Sequence, residues 1–223
     1  TGSKSAGSDG DGRVLPARAC APVPLVVEGL SKAYVEVAGP GSMLAIAEVS
    51  FSLSKGEFVS IVGPSGCGKT TLLKTVAGLL RPTAGQISVR GTPINGPADG
   101  MVMLFQDYSK SLLPWRSVAR NVELPLENVA SISRAERREK ALAYLDLVGL
   151  HGFGDYYPFQ LSGGMQQRTA IARALVGEPE ILLMDEPFGS VDAQTRFELQ
   201  DTTLDLMART GMTVLFVTHD IEE

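Results

Sequence analysis

Apolar residues are spaced differently along this chain, and the expected elements change with them. Leu25-Val26-Val27-Glu28-Gly29-Leu30 reads as a strand. Val49-Ser50-Phe51-Ser52-Leu53 alternates apolar and polar positions, as a strand with one buried face does. Gly39-Pro40-Gly41-Ser42 is a turn signal between β-like runs at 34–38 and 44–53, so a hairpin is expected. From residue 57 onward, strand-like and helix-like runs alternate. Residues 57–62 are apolar and β-branched, and 70–80 carry apolar residues at helical spacing. Arg81-Pro82-Thr83-Ala84-Gly85 breaks that helix, and 86–90 returns as a strand. Met101-Val102-Met103-Leu104-Phe105 is wholly apolar and predicts a buried strand ending at Gln106. A loop over 107–115 leads to helices over 117–126 and 133–148, and Ser133-Arg134-Ala135-Glu136 opens the second as a capping box. A helix over 165–175, a buried strand over 181–185, an amphipathic helix over 192–209 and a buried strand over 213–217 complete the pattern.

That order predicts an α/β sheet core with an antiparallel β portion before it and a mainly helical insert, placed at about 107–178. Residues 1–24 are rich in Gly, Ser, Ala and Pro without periodicity and are expected to be a disordered tail. The 223 residues suffice for one large domain, and a net charge of −5 argues against non-specific nucleic-acid binding, which needs a basic surface. Cys20 and Cys67 lie in unlike settings, so no structural disulfide is expected; free thiols fit a reducing cytoplasm. No apolar run approaches the roughly 18 residues of a membrane span. Residue 1 is Thr, and the chain stops at Asp220-Ile221-Glu222-Glu223, where a helix begins. The sequence therefore reads as a piece of a longer protein with at least one further core strand. The face Arg134, Arg137, Arg138, Lys140 reads as solvated rather than as a binding patch.

Chemistry enters with Gly63-Pro64-Ser65-Gly66-Cys67-Gly68-Lys69-Thr70, which fits G-x-x-x-x-G-K-[ST] between a predicted strand and a predicted helix. Glycines let the backbone wrap an anion with its N–H groups turned inward, and the helix adds its positive end. Lys69 is suited to the β/γ-phosphates of a nucleoside triphosphate and the Thr70 hydroxyl to Mg²⁺. These eight residues, with Thr71 beside them, are the candidate nucleotide contacts. A second element, Ile181-Leu182-Leu183-Met184-Asp185-Glu186, buries a strand and delivers two carboxylates at its C-terminal end, where open α/β sheets bind ligands. Asp185 is expected to hold Mg²⁺ through water, and Glu186 to orient or deprotonate an attacking water.

Leu161-Ser162-Gly163-Gly164-Met165-Gln166-Gln167-Arg168 resembles the signature of ATP-binding cassette (ABC) ATPases, and the resemblance runs from about residue 25 to the end. Met165 stands where that family more often has Gln. The resemblance implies a phosphate-loop ABC ATPase fold that binds ATP and Mg²⁺. It implies that Ser162, Gly163 and Gly164 bind the γ-phosphate held by a second copy, and that Tyr34 stacks on adenine. It assigns Gln106 to Mg²⁺ and the attacking water, and His219 to the γ-phosphate. Ser190-Val191-Asp192 resembles the loop by which two subunits touch, with Gly189 and Val191 as mild variants. Glu186, His219, Gln106 and Lys69 are thus the candidate catalytic residues, and Thr70, Gln106 and Asp185 the candidate metal ligands.

The stretch from Phe105 to Val118, with Leu112-Leu113-Pro114-Trp115 read as an exposed apolar cluster, resembles the ATPases of bacterial importers for nitrate, sulfonate and taurine. That implies a peripheral subunit at the cytoplasmic face of the inner membrane. It would pair head-to-tail with a second copy, dock a separate permease and serve a solute-binding protein indirectly. A soluble ABC ATPase without a transport role and a detached exporter cassette are the alternatives. The transported solute is not legible in these residues.

Overall fold

The computed structural model describes residues 24–35, 42–107, 111–188 and 193–219. Two sheets organise it. β1 (Leu25–Val35) pairs antiparallel with β2 (Ser42–Leu53), setting Leu25 opposite Leu53 and Tyr34 opposite Met43. β4 (Ala84–Val89) flanks the other side of β1, and a two-residue strand, β5 (Thr92–Pro93), completes the order β2-β1-β4-β5. The two strands pair as expected, though residues 36–41, which include Gly39, Pro40 and Gly41 of the expected turn, lie outside the described residues, as do residues 1–23 of the expected tail. Pro24 is buried, and its carbonyl accepts the Arg90 N–H at 3.1 Å.

The second sheet is parallel. β3 (Phe58–Val62), β6 (Met101–Leu104), β7 (Ile181–Asp185) and β8 (Thr213–Thr218) take the order β3-β8-β7-β6. Register aligns their C-terminal ends: Val62 faces Thr218, Asp185 faces Val217 and Leu104 faces Met184. Four loops therefore leave the sheet at one edge.

All five residues of β7 are buried, and the period of a strand sends them into two different cores. Leu182 and Met184 join a cluster with α2 (Val118–Glu123), α3 (Arg134–Leu147), α4 (Gly163–Leu175) and α5 (Ala193–Thr210). Ile181 and Leu183 join the antiparallel sheet and α1 (Lys69–Val76). Each fully buried Leu contributes about 2 kcal/mol through area removed from water. A strand apolar on both faces is what a sheet covered on both sides requires.

Several elements differ from the sequence pattern. α1 ends at Val76 although Leu79 and Leu80 continue its apolar spacing. Gly78, at φ +73°, turns the chain, and the Leu79 N–H closes the helix on the Lys74 carbonyl at 2.9 Å. β6 is outermost among the described strands, so Met101, Val102 and Met103 are half-buried rather than fully buried. α4 starts at Gly163, two residues early, because the Ser162 hydroxyl caps it by accepting the Met165 N–H. The capping box of α3 forms as expected, with Ser133 and Glu136 each accepting the other's N–H.

The charged face of α3 is largely paired within the chain. Arg138 meets Asp155 at 2.6 Å, Arg137 donates to the Glu127 carbonyl, and Lys140 meets Glu178 at 2.8 Å. Tyr144, packed against the helical core, donates to the same Glu178 carboxylate at 3.3 Å. Burial first, then the Glu178 charge, pushes the phenol up to about 12. An unfolded tyrosine titrates near 10, so the fold favours the protonated form. That contribution is complete below about pH 10 and is lost as pH climbs through about 12. Urea midpoints of the parent should therefore fall more steeply between pH 10 and 12 than those of Tyr144→Phe. Equal slopes would refute the assignment.

Candidate functional site

Gly63 to Thr70 leave β3 and open α1 at the shared sheet edge. The Gly63 N–H donates to the Thr218 carbonyl at 3.3 Å, fixing the loop to β8. Gly68 sits at φ +99°, and a Cβ there would stand 2.4 Å from the Ala45 carbonyl oxygen of β2. Only glycine fits both that backbone and that neighbour. The first turn of α1 carries no side-chain cap and no acidic residue, leaving its positive end to an anion. Cys67 is an exposed free thiol in this loop.

Lys69 is buried, and its ammonium folds back on the loop, donating to the Gly63 carbonyl at 2.7 Å and the Pro64 carbonyl at 3.0 Å. The Thr70 hydroxyl donates to Asp185 Oδ1 at 3.0 Å. Asp185 is buried, and burial pushes its carboxyl above the usual Asp range against the opposing Thr70 hydrogen bond. Glu186 follows at φ +45°, a backbone conformation costly for a residue with a side chain, and is held there by its N–H on the Val217 carbonyl at 2.8 Å. The left-handed turn aims its carboxylate into a cluster. Gln106 Nε2 donates to Oε2 at 2.8 Å, while His219 Nδ1 lies 3.1 Å and Lys69 Nζ 3.9 Å from Oε1. Lys69, Thr70, Gln106, Asp185, Glu186 and His219 are thus joined through contacts to the two carboxylates.

The other candidates lie differently. Ser162, Gly163 and Gly164 form the solvent-facing N-terminus of α4, and among the described residues no hydrogen bond joins them to the Lys69 cluster. Tyr34 is half-exposed on β1, with the Lys32 ammonium 5.2 Å from its ring centre. β1 is the neighbour of β2, the strand that meets Gly68. Ser190, Val191 and Asp192 lie outside the described residues.

The model of the ABC transporter family matches residues 46–189, which take in the loop, Gln106, Ser162 to Gly164 and both carboxylates. The chain belongs to the ABC transporter family. A Brucella abortus protein named as ATP-binding is 51% identical over 82% of this chain and 69% of its own length. The taurine import ATP-binding protein TauB of Yersinia pestis is 48% identical over 80% of this chain and 69% of that protein. The nitrate import ATP-binding protein NrtC of Synechococcus elongatus is 44% identical over 84% of this chain and 28% of that protein. Among solved structures, the ATP-binding cassette MJ0796, a dimer in a post-hydrolysis state with ADP and Pi, superposes with a TM-score of 0.80 at 35% identity, covering 89% of each chain.

This ABC chain is a phosphate-loop ATPase with an antiparallel β subdomain and a helical subdomain. Two contributors escaped sequence reasoning. Asn121 is fully buried; its carbonyl accepts the Leu113 N–H and its amide donates to the carbonyls of Leu113, Arg116 and Ser117. Arg173 grips Ser111. Asn121 holds the loop that leads into its own helix, and Arg173 reaches a loop far along the chain; a lone Asn or Arg inside a helix gives no local signal of either. The Leu112–Trp115 cluster needs correcting. Leu112 is 3% exposed and packs in the helical core, whereas Trp115 is 73% exposed. Asn121 and Leu112 anchor the loop from inside, and Pro114 and Trp115 face out.

Proposed function

We propose that this chain is the ATP-hydrolysing subunit of a bacterial importer for small anions of the taurine, sulfonate or nitrate type. The observation that supports hydrolysis most is the Glu186 carboxylate, gathered by Gln106 and His219 beside Lys69; import of such anions is supported by the similarity to the taurine and nitrate import ATP-binding proteins. Lys69 and the loop N–H groups bind the β/γ-phosphates. Glu186 takes a proton from the attacking water, and Gln106 and His219 orient that water and the γ-phosphate. Tyr34 offers a ring to adenine. Thr70, Asp185 and Gln106 are oxygen donors that suit Mg²⁺, a cation that keeps several waters. The fit rests on the buried Asp185 carboxylate beside the Thr70 hydroxyl. Among the described residues no group of three or more His, Cys, Asp or Glu is gathered that could hold a metal ion. Bound there, Mg²⁺ supplies charge to offset that developing on the phosphoryl oxygens.

Ser162, Gly163 and Gly164, detached from the Lys69 cluster, serve the site of a second copy in a head-to-tail dimer. We take 25–223 as the cassette, with its helical subdomain at about 107–178. Among the described residues no helix is long and apolar enough to cross a membrane. In this reading the subunit acts on a separate permease from the cytoplasmic face, with the solute-binding protein reached only through it; the similarity to the taurine and nitrate import ATP-binding proteins supports it. The test is ATP hydrolysis by the assembled transporter in vesicles. Taurine, a sulfonate or nitrate added with the solute-binding protein should raise the rate several-fold, and a flat response to all three would sink the reading.

Trp115 is the exposed anchor of the permease contact. Trp115→Ala should cut co-purification with a co-expressed permease about tenfold, equivalent to about 1.4 kcal/mol, and leave the melting temperature unchanged. Unchanged recovery of the permease would exclude Trp115 from the interface.

A further inference from the structure

In the helical subdomain, α2 and α3 line up several charged side chains. Arg120 and Glu123, three residues apart, share a face of α2. Arg134 and Arg138, four apart, share a face of α3. All four line one cavity of about 600 Å³, and Ala135 and Asp155 add to its wall. That volume lies within the roughly 300–1,000 Å³ of small-molecule sites.

The charges around this cavity do not balance. Arg138 is matched, meeting Asp155 at 2.6 Å and Glu123 at 3.5 Å. Arg120 and Arg134 are not: among the described residues neither guanidinium forms an ion pair or a hydrogen bond. Acids are not scarce, since the chain carries 25 Asp and Glu against 20 Lys and Arg. Arg134 and Arg138 also stand at the spacing at which like charges weaken a helix. Three guanidiniums against two carboxylates leave the wall net positive, and one arginine holds both carboxylates. Backbone donors add to this. The first four N–H groups of a helix have no partner in its own ladder. In α3 the capping box takes those of Ser133 and Glu136. Those of Arg134 and Ala135 are left, and both residues line the cavity.

We propose that this cavity binds a small oxyanion, as a sulfonate, sulfate or phosphate group, between Arg120 and Arg134. A planar guanidinium presents paired N–H donors that fit two oxygens of such a group at once. Glu123 and Asp155, gathered at the Arg138 end, repel an extended polyanion and leave room for a single anionic group. The site uses no residue of the phosphate loop and needs neither nucleotide nor a second copy.

Arginine side-chain NMR of the full chain tests it, with sulfate, inorganic phosphate and methanesulfonate titrated separately against chloride at constant ionic strength. The Nε–Hε signals of Arg120 and Arg134 should move together and saturate with at least one of the three. The phosphate loop, whose cation is Lys69, gives no such signal. Arg120→Gln, followed at Arg134, and Arg134→Gln, followed at Arg120, should each weaken binding about tenfold or more, the loss of a hydrogen bond to a charged group. Arg120→Lys keeps the charge and loses the fork, so it should bind severalfold more weakly than the parent. Arg209→Gln removes the same charge from the end of α5 and should leave the affinity unchanged. The absence of a saturable shift with any of the three anions overturns the proposal, as does parent affinity in both Gln variants. Equal weakening by Arg209→Gln, or full affinity in Arg120→Lys, would reduce the effect to a diffuse positive field and overturn it too. A hexaglutamate peptide that binds more tightly than all three anions would overturn the ligand class.

Discussion

Glu186→Gln binds ATP and fails to release it. Hydrolysis falls by about 10²–10⁴-fold, the usual contribution of a positioned general base. The amide has the shape of the carboxylate, so the contacts with Gln106 and His219 can persist. What goes is basicity toward water, together with the negative oxygen 3.9 Å from the Lys69 ammonium. Lys69, relieved of that neighbour, turns more readily to phosphate, and ATP affinity rises. The variant should therefore accumulate as an ATP-bound dimer in light scattering with ATP, whereas the parent returns to monomer as it turns over. Phosphate release at the parent rate would remove Glu186 from the role of base. A dead enzyme that never dimerises with ATP would instead show that the carboxylate serves binding.

The second large effect belongs to Gly68→Ala. A methyl there meets two separate costs. Holding a residue with a side chain at φ +99° costs about 1–3 kcal/mol, and the Ala45 carbonyl oxygen only 2.4 Å away cannot yield without moving β2. The nucleotide-free protein should lose at least about 2 kcal/mol, or roughly 4–8 °C in a domain of this size. The thermal shift given by ATP should vanish, because the loop and the first turn of α1 no longer wrap the phosphates. Gly91→Ala separates the two costs. Its φ is +75°, but no atom lies within 4 Å of the added methyl, so it bears backbone strain alone and keeps its response to ATP. If Gly68→Ala melts like the parent and gains the same shift from ATP, the close approach of β2 is irrelevant to the site.

Much of this architecture was readable in the sequence because local and tertiary demands agree there. The run Ile181-Leu182-Leu183-Met184 is apolar on both faces and is buried on both faces. Ser133 and Glu136 cap α3 through bonds that span three residues. Legibility stopped where the deciding partner is distant. Leu79 continues the apolar spacing of α1 yet is half-exposed, because Gly78 has already turned the chain. Leu112 and Trp115 are both apolar and three residues apart, and nothing local says that one is buried and the other is not. Glycines at 163 and 164 argue against a helix by propensity, but the Ser162 cap places them inside one. In the site, the motifs located Lys69, Thr70, Asp185 and Glu186. The strand order β3-β8-β7-β6, set by long-range pairing, is what brings His219 and Gln106 to the same carboxylate.

Glu186 adopts a backbone conformation that glycine or asparagine would take more comfortably. In the proposed mechanism its side chain contributes a base, while its backbone works against the stability of the whole domain. A selection for heat resistance alone would accordingly drift away from glutamate at this position and enrich sturdier, inert cassettes. Such proteins would accumulate well in cells, fold correctly and transport nothing.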